Sequence, residues 1–72
     1  MRRQIKLLDV VALLSDHPER GLVQGQVGTV VEQLAADVFE IEFCDDEGKT
    51  YSECAIKAGQ LMVLYYHPQK VA

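Results

Sequence analysis

The sequence predicts an all-β domain of five short strands, and three stretches carry that prediction. "VFEIEF", residues 38–43, alternates Phe39, Ile41 and Phe43 with Glu40 and Glu42, the period of a half-buried strand with one wet side. "VGTVVEQL", residues 27–34, is rich in β-branched side chains and opens directly after the glycines of "GLVQGQVG". "CDDEGKTY" then supplies Asp45, Asp46, Glu47 and Gly48, which suit a type I turn closed by a left-handed glycine.

The remaining elements follow in chain order. "LLDVVALL", residues 7–14, is the first strand; its apolar spacing also fits a short amphipathic helix, and the valine pair with Pro18 favours the strand. A long loop over residues 15–26 leads to the second strand. Asp37 is the natural turn residue of the link to the third. "TYSECAI" returns from the acidic turn, "KAGQ" makes one short helical turn, and "LMVLYY", residues 61–66, forms the last strand. Five strands with one helical turn before the last describe a small SH3-like barrel. A single domain over residues 1–72 is expected, with its core at about 8–64 and terminal segments at 1–7 and 65–72.

Size and charge bound the function. At 72 residues, one core supplies roughly 3–5 kcal/mol, so such a fold gains from a staple, a partner or a second copy. Hydrophobic residues at 49% against 25% charged mark a globular chain rather than a disordered one. Asp9 interrupts the apolar stretch behind Arg2, Arg3 and Lys6, and no small-residue cleavage site follows. Neither a targeting signal nor a membrane span is therefore expected, and the cytoplasm is the expected compartment. The net charge of −4 opposes nucleic-acid binding, which rests on Lys and Arg; only Arg2, Arg3 and Lys6 form a dense basic cluster.

"DVVALL", "GQVGTVVE", "FEIEF" and "GKTY" together resemble a bacterial family of very small proteins known only as a domain of unknown function. The resemblance spans residues 8–64 and implies an SH3-like fold without an assigned activity. Its glycine-containing strand is also similar to the KOW motif of ribosomal and transcription-elongation proteins, which implies an RNA- or DNA-binding alternative. Basic residues near Gly25 and Gly28 would be needed for that role, and none occurs between Arg20 and Lys49.

The chemistry that these residues exclude is informative. Gly28 is followed by Thr29 and Val30 rather than Lys and Ser or Thr, so "GQVGTVV" is no P-loop; a strand instead of a helix follows, so it is no dinucleotide fingerprint. Gly25 is expected in a positive-φ turn, Gly28 where a strand coils sharply, and Gly48 in the hairpin turn. His17 and His67 are expected as solvated loop side chains beside Pro18 and Pro68, with no partnered nucleophile. Pairing Cys44 with Lys49 or Thr50 sets Cys54 opposite Phe39 or Glu40, roughly 17–20 Å along the ladder from Cys44. That exceeds disulfide reach, making Cys54 a core residue and Cys44 a half-exposed strand end. The "DDEG" run lacks the alternating ligands of a calcium loop. No catalytic residue, metal, cofactor or small-molecule substrate is expected, and the chain is expected not to be an enzyme.

What remains is surface. Met62, Leu64, Tyr65 and Tyr66 are the candidate interaction residues, because a last strand apolar on both faces needs a cover on its outer side. The expected function is a protein-interaction module that associates with itself or with a larger co-encoded protein, as antitoxin, immunity or accessory subunits do. The alternative is a KOW-like nucleic-acid module contacting its ligand through Arg2, Arg3 and Lys6. A purely structural role for the last strand, covered by the N-terminal segment, stands beside both.

Overall fold

Alternation in the third strand organises the whole chain. The computed structural model describes residues 4–70. In order they form β1 (Val10–Leu13), a 3-10 turn (Pro18–Arg20), β2 (Val27–Ala35), β3 (Val38–Cys44), β4 (Thr50–Lys57), a second 3-10 turn (Ala58–Gln60) and β5 (Leu61–Val63). The all-β, five-stranded architecture holds, and one of the two 3-10 turns lies immediately ahead of the last strand. All pairings are antiparallel, in one sheet of order β4-β3-β2-β1-β5. Among the described residues no helix is long and apolar enough to cross a membrane.

Phe39, Ile41 and Phe43 point inward from β3 and are almost fully buried, while Glu40 and Glu42 face out. They join Val11 and Leu13 of β1, Val30 of β2, Cys54 and Ile56 of β4 and Leu61 of β5 in one cluster. β4 and β5 are opposite ends of the sheet, so their shared core requires the sheet to curl on itself. Register shifts in β2 at Val30/Glu32 and Gln33/Ala35 add the local twist that curling needs. Each fully buried Val, Leu, Ile or Phe stabilises by about 1.5–3 kcal/mol, a large part of the roughly 5 kcal/mol a small domain has.

The loop from Ser15 to Gln26 is more ordered than its composition implies. Gly21, at φ 69, closes the first 3-10 turn by donating its N–H to the Pro18 carbonyl. His17 and Leu22 then form an isolated antiparallel bridge that tucks Leu22 into the core at 1% exposure. Asp16 Oδ1 accepts the Gln24 N–H at 2.8 Å, and Gly25, at φ 91, donates its N–H to the Leu13 carbonyl. This packing also corrects one expectation. His17 is half-buried rather than solvated, and its Nε2 is enclosed without a hydrogen-bond partner.

Two further expectations change. Cys44 pairs with Thr50, but a bulge follows, so Phe43 opposes Ser52 and Cys54 opposes Ile41 rather than Phe39 or Glu40. The extra residue is Tyr51, whose ring rests on Phe43 at a centroid distance of 6.3 Å. Both thiols are free, Cys54 buried and Cys44 exposed. The last strand also ends at Val63 rather than Tyr66. Leu64 still donates its N–H to the Val10 carbonyl, but β1 begins there, and the turn over Lys6–Asp9 leaves no straight strand to pair with Tyr65 or Tyr66.

Two glycines are required for different reasons. At the hairpin tip, Asp45 Oδ1 accepts the Glu47 and Lys49 N–H groups, and Gly48 takes φ 82 with open space around it. Gly28 has no positive φ; a Cβ there would lie 2.6 Å from Ile41 Cγ2 and 2.9 Å from the Glu42 carbonyl oxygen. Gly48→Ala is expected to cost roughly 1 kcal/mol through backbone strain. Gly28→Ala is expected to cost about 1–3 kcal/mol because backbone must move to admit the methyl group. Urea unfolding midpoints check the order, Gly28→Ala falling below Gly48→Ala.

Candidate interaction surface

The second 3-10 turn and β5 shape an apolar groove on the surface. β5 pairs with β1 through Val11↔Val63, Ala12↔Met62 and Leu13↔Leu61, so successive side chains fall on opposite faces. Leu61 turns inward and is 7% exposed, while Met62 turns outward at 49%. Ile5, Leu14, Ala58, Leu61, Met62 and Tyr65 line a groove of about 310 Å³ beside this edge strand.

Of the four residues expected on an interaction surface, the groove brings together Met62 and Tyr65. Leu64 is half-buried and does not line it, and Tyr66 stands apart at 78% exposure. Ile5 and Leu14 complete the lining although sequence reading assigned neither to it. Both flank β1, and only the β1–β5 pairing brings them beside Met62.

Of the basic cluster, Arg2 and Arg3 lie outside the described residues. Lys6 is exposed, and its backbone N–H donates to Asp9 Oδ2 at 2.8 Å. That bond closes the turn in which Leu8 sits at φ 71, a conformation costing a leucine roughly 1 kcal/mol.

The outer face of β2–β4 is acidic. Glu42 lies directly opposite Glu53, and Glu32 opposite Glu40, placements that repel across a ladder. The Glu53 carboxyl is raised above its ordinary 4.5, first by a hydrogen bond with Glu40, then by desolvation and by the negative charges of Glu40 and Glu42. Thr50 Oγ1 donates to Glu42 Oε2 at 2.6 Å. At the hairpin tip a wide polar groove of about 530 Å³ runs between Gln26, Tyr51 and the Asp45–Glu47 turn, with Gln26 Nε2 donating to the Tyr51 hydroxyl. Among the described residues no group of three or more His, Cys, Asp or Glu is placed to hold a metal ion.

The raised Glu53 value fixes a sign. A carboxyl with a raised folded-state pKa adds stability at pH below its unfolded value, and that stability is lost as pH rises through the folded value. Glu53→Gln is therefore expected to raise the melting temperature relative to the parent chain at pH 7, and to lose that advantage near pH 4. Paired thermal melts at the two pH values check this.

A family model described as a domain of unknown function, DUF4926, matches residues 7–63. No match was found among curated proteins or among solved structures.

Proposed function

The chain belongs to the DUF4926 family, and from the surface just described we propose that it is a non-catalytic protein-interaction module, an SH3-like barrel of the bacterial cytoplasm. One observation carries the reading: the apolar groove at the free edge of the sheet, where Met62 and Tyr65 are each nearly half exposed. Contiguous apolar surface beside an unpaired strand edge is the usual mark of a docking site, and Met and Tyr are enriched in interfaces. The partner fits the class of a larger co-encoded protein, with this chain as accessory, antitoxin or immunity subunit, or a second copy. The reading calls for no cofactor, small-molecule substrate or membrane.

The alternative, a KOW-like RNA- or DNA-binding module, rests on the resemblance of residues 25–32 and on Arg2, Arg3 and Lys6. Against it, Glu32, Glu40, Glu42 and Glu53 crowd one sheet face, and carboxylates repel a phosphate backbone. Immobilised chain is expected to retain the co-encoded protein, and Met62→Glu to weaken that retention at least about tenfold without lowering the melting temperature. Retention untouched by Met62→Glu would remove the groove from the reading. Filter binding to RNA and DNA that strengthens steeply as salt is lowered would favour the alternative.

A further inference from the structure

β4 forms one edge of the sheet, with β3 as its neighbour on the inner side. From Ser52 to Lys57 the two strands pair in unbroken register, Phe43↔Ser52 through Val38↔Lys57. The next residue, Ala58, donates its N–H to the Asp37 carbonyl at 2.7 Å, which fixes the phase of the ladder. Backbone polar groups along an antiparallel strand turn to alternate sides. Those of Ser52, Cys54 and Ile56 therefore face β3, and those of Glu53, Ala55 and Lys57 face the open edge. All three of these residues are exposed. A row of outward donors and acceptors of this kind is a template for another strand.

The side chains of that row select the strand it takes. They read Glu53, Ala55, Lys57, an anion and a cation on either side of a small residue. A second copy of β4, laid antiparallel about a two-fold axis through Ala55, sets Glu53 of each copy opposite Lys57 of the other. Directly opposed residues share one face of the sheet, with Cβ atoms roughly 4.5–5.5 Å apart. The same register matches the backbone. Ala55 exchanges its edge-facing bonds with Ala55 of the partner subunit, and Glu53 exchanges its own with Lys57 of the partner subunit. Centring the axis on Glu53 or Lys57 would set like charges face to face, and centring it on Cys54 or Ile56 pairs neither with its opposite. Charged side chains on an edge commonly keep copies apart, but these two attract in the register centred on Ala55. Within the chain Lys57 lies opposite Val38, while Glu53 lies opposite Glu42. The second copy thus brings a cation to the end of a row in which two carboxylates already repel.

We propose that this chain forms a two-fold homodimer through β4, the two sheets joining edge to edge about Ala55 with Glu53 of each copy facing Lys57 of the partner subunit. The contact uses the same strand from both copies and leaves no β4 edge open, so it closes at two. It goes beyond the groove reading and does not depend on it, since the groove lies along β5, the other edge strand of the sheet.

Sedimentation equilibrium of the full chain, from low-micromolar to near-millimolar concentration, tests this together with amide exchange at both ends of that range. The parent chain is expected to pass from monomer to dimer, and its Glu53, Ala55 and Lys57 amides to exchange more slowly in the dimer. Ala55→Lys sets two like charges together on the axis, while inside each chain position 55 lies opposite Glu40. It is expected to weaken association at least about tenfold, with an undiminished monomer melting temperature. Lys57→Glu is expected to weaken association by a similar factor, and the double variant Glu53→Lys with Lys57→Glu to restore most of it. A parent chain that stays monomeric throughout overturns the proposal. So does a dimer whose three edge amides exchange as fast as in the monomer, or Ala55→Lys associating as the parent does. A double variant that associates no better than Lys57→Glu alone overturns the pairing centred on Ala55.

Discussion

One sheet must supply most of the walls of its own core. Among the described residues, whose only helical elements are two 3-10 turns, Ile5 and Leu22 are the only members of the buried cluster that lie outside the strands. The sheet therefore bends until β4 and β5, its two ends, enclose the same cluster. At Gly28, β3 side chains and backbone lie against the position a Cβ would occupy. The bulges in β2 and at Tyr51 are the other adjustments that let straight ladders curve.

The same constraint explains where function is left. Inward side chains fill the core, and among the described residues none is a buried ionic group. Chemistry and recognition are confined to the outside, where three regions differ in character: an apolar groove at β5, a strained leucine turn hydrogen-bonded to β2, and a carboxylate-lined face on β2–β4. A chain with so little interior has limited stability to spare. The αL leucine and the directly opposed glutamates each cost part of it.

Local rules were enough for much of this structure to be read from the sequence. The Phe39-Ile41-Phe43 alternation fixed β3 and its inward face, and the Asp45–Gly48 turn followed from turn chemistry that needs no tertiary partner. The short turn before β5 was legible for the same reason. What escaped was set by contacts distant in sequence. The bulge at Tyr51 depends on its ring meeting Phe43, and no alternation pattern signals one extra residue. Leu22 is a core residue because His17 and Leu22 bridge across a loop that reads as solvated. The early end of β5 depends on where β1 begins, and so on Leu8. Of the groove, Met62 and Tyr65 were legible as outward apolar residues, whereas Ile5 and Leu14 join them only through the β1–β5 register.

The curled single core is tested most directly by amide hydrogen exchange as a function of denaturant. If β4 and β5 share one core, the Leu14 and Leu64 amides at the β1–β5 edge should exchange through the same global unfolding as the Val30 amide in the sheet's centre. Their opening free energies and denaturant slopes would then coincide. Leu14 and Leu64 exchanging through a denaturant-independent local opening, while Val30 stays protected, would mean that β5 is only laid against the sheet, and the account would be wrong.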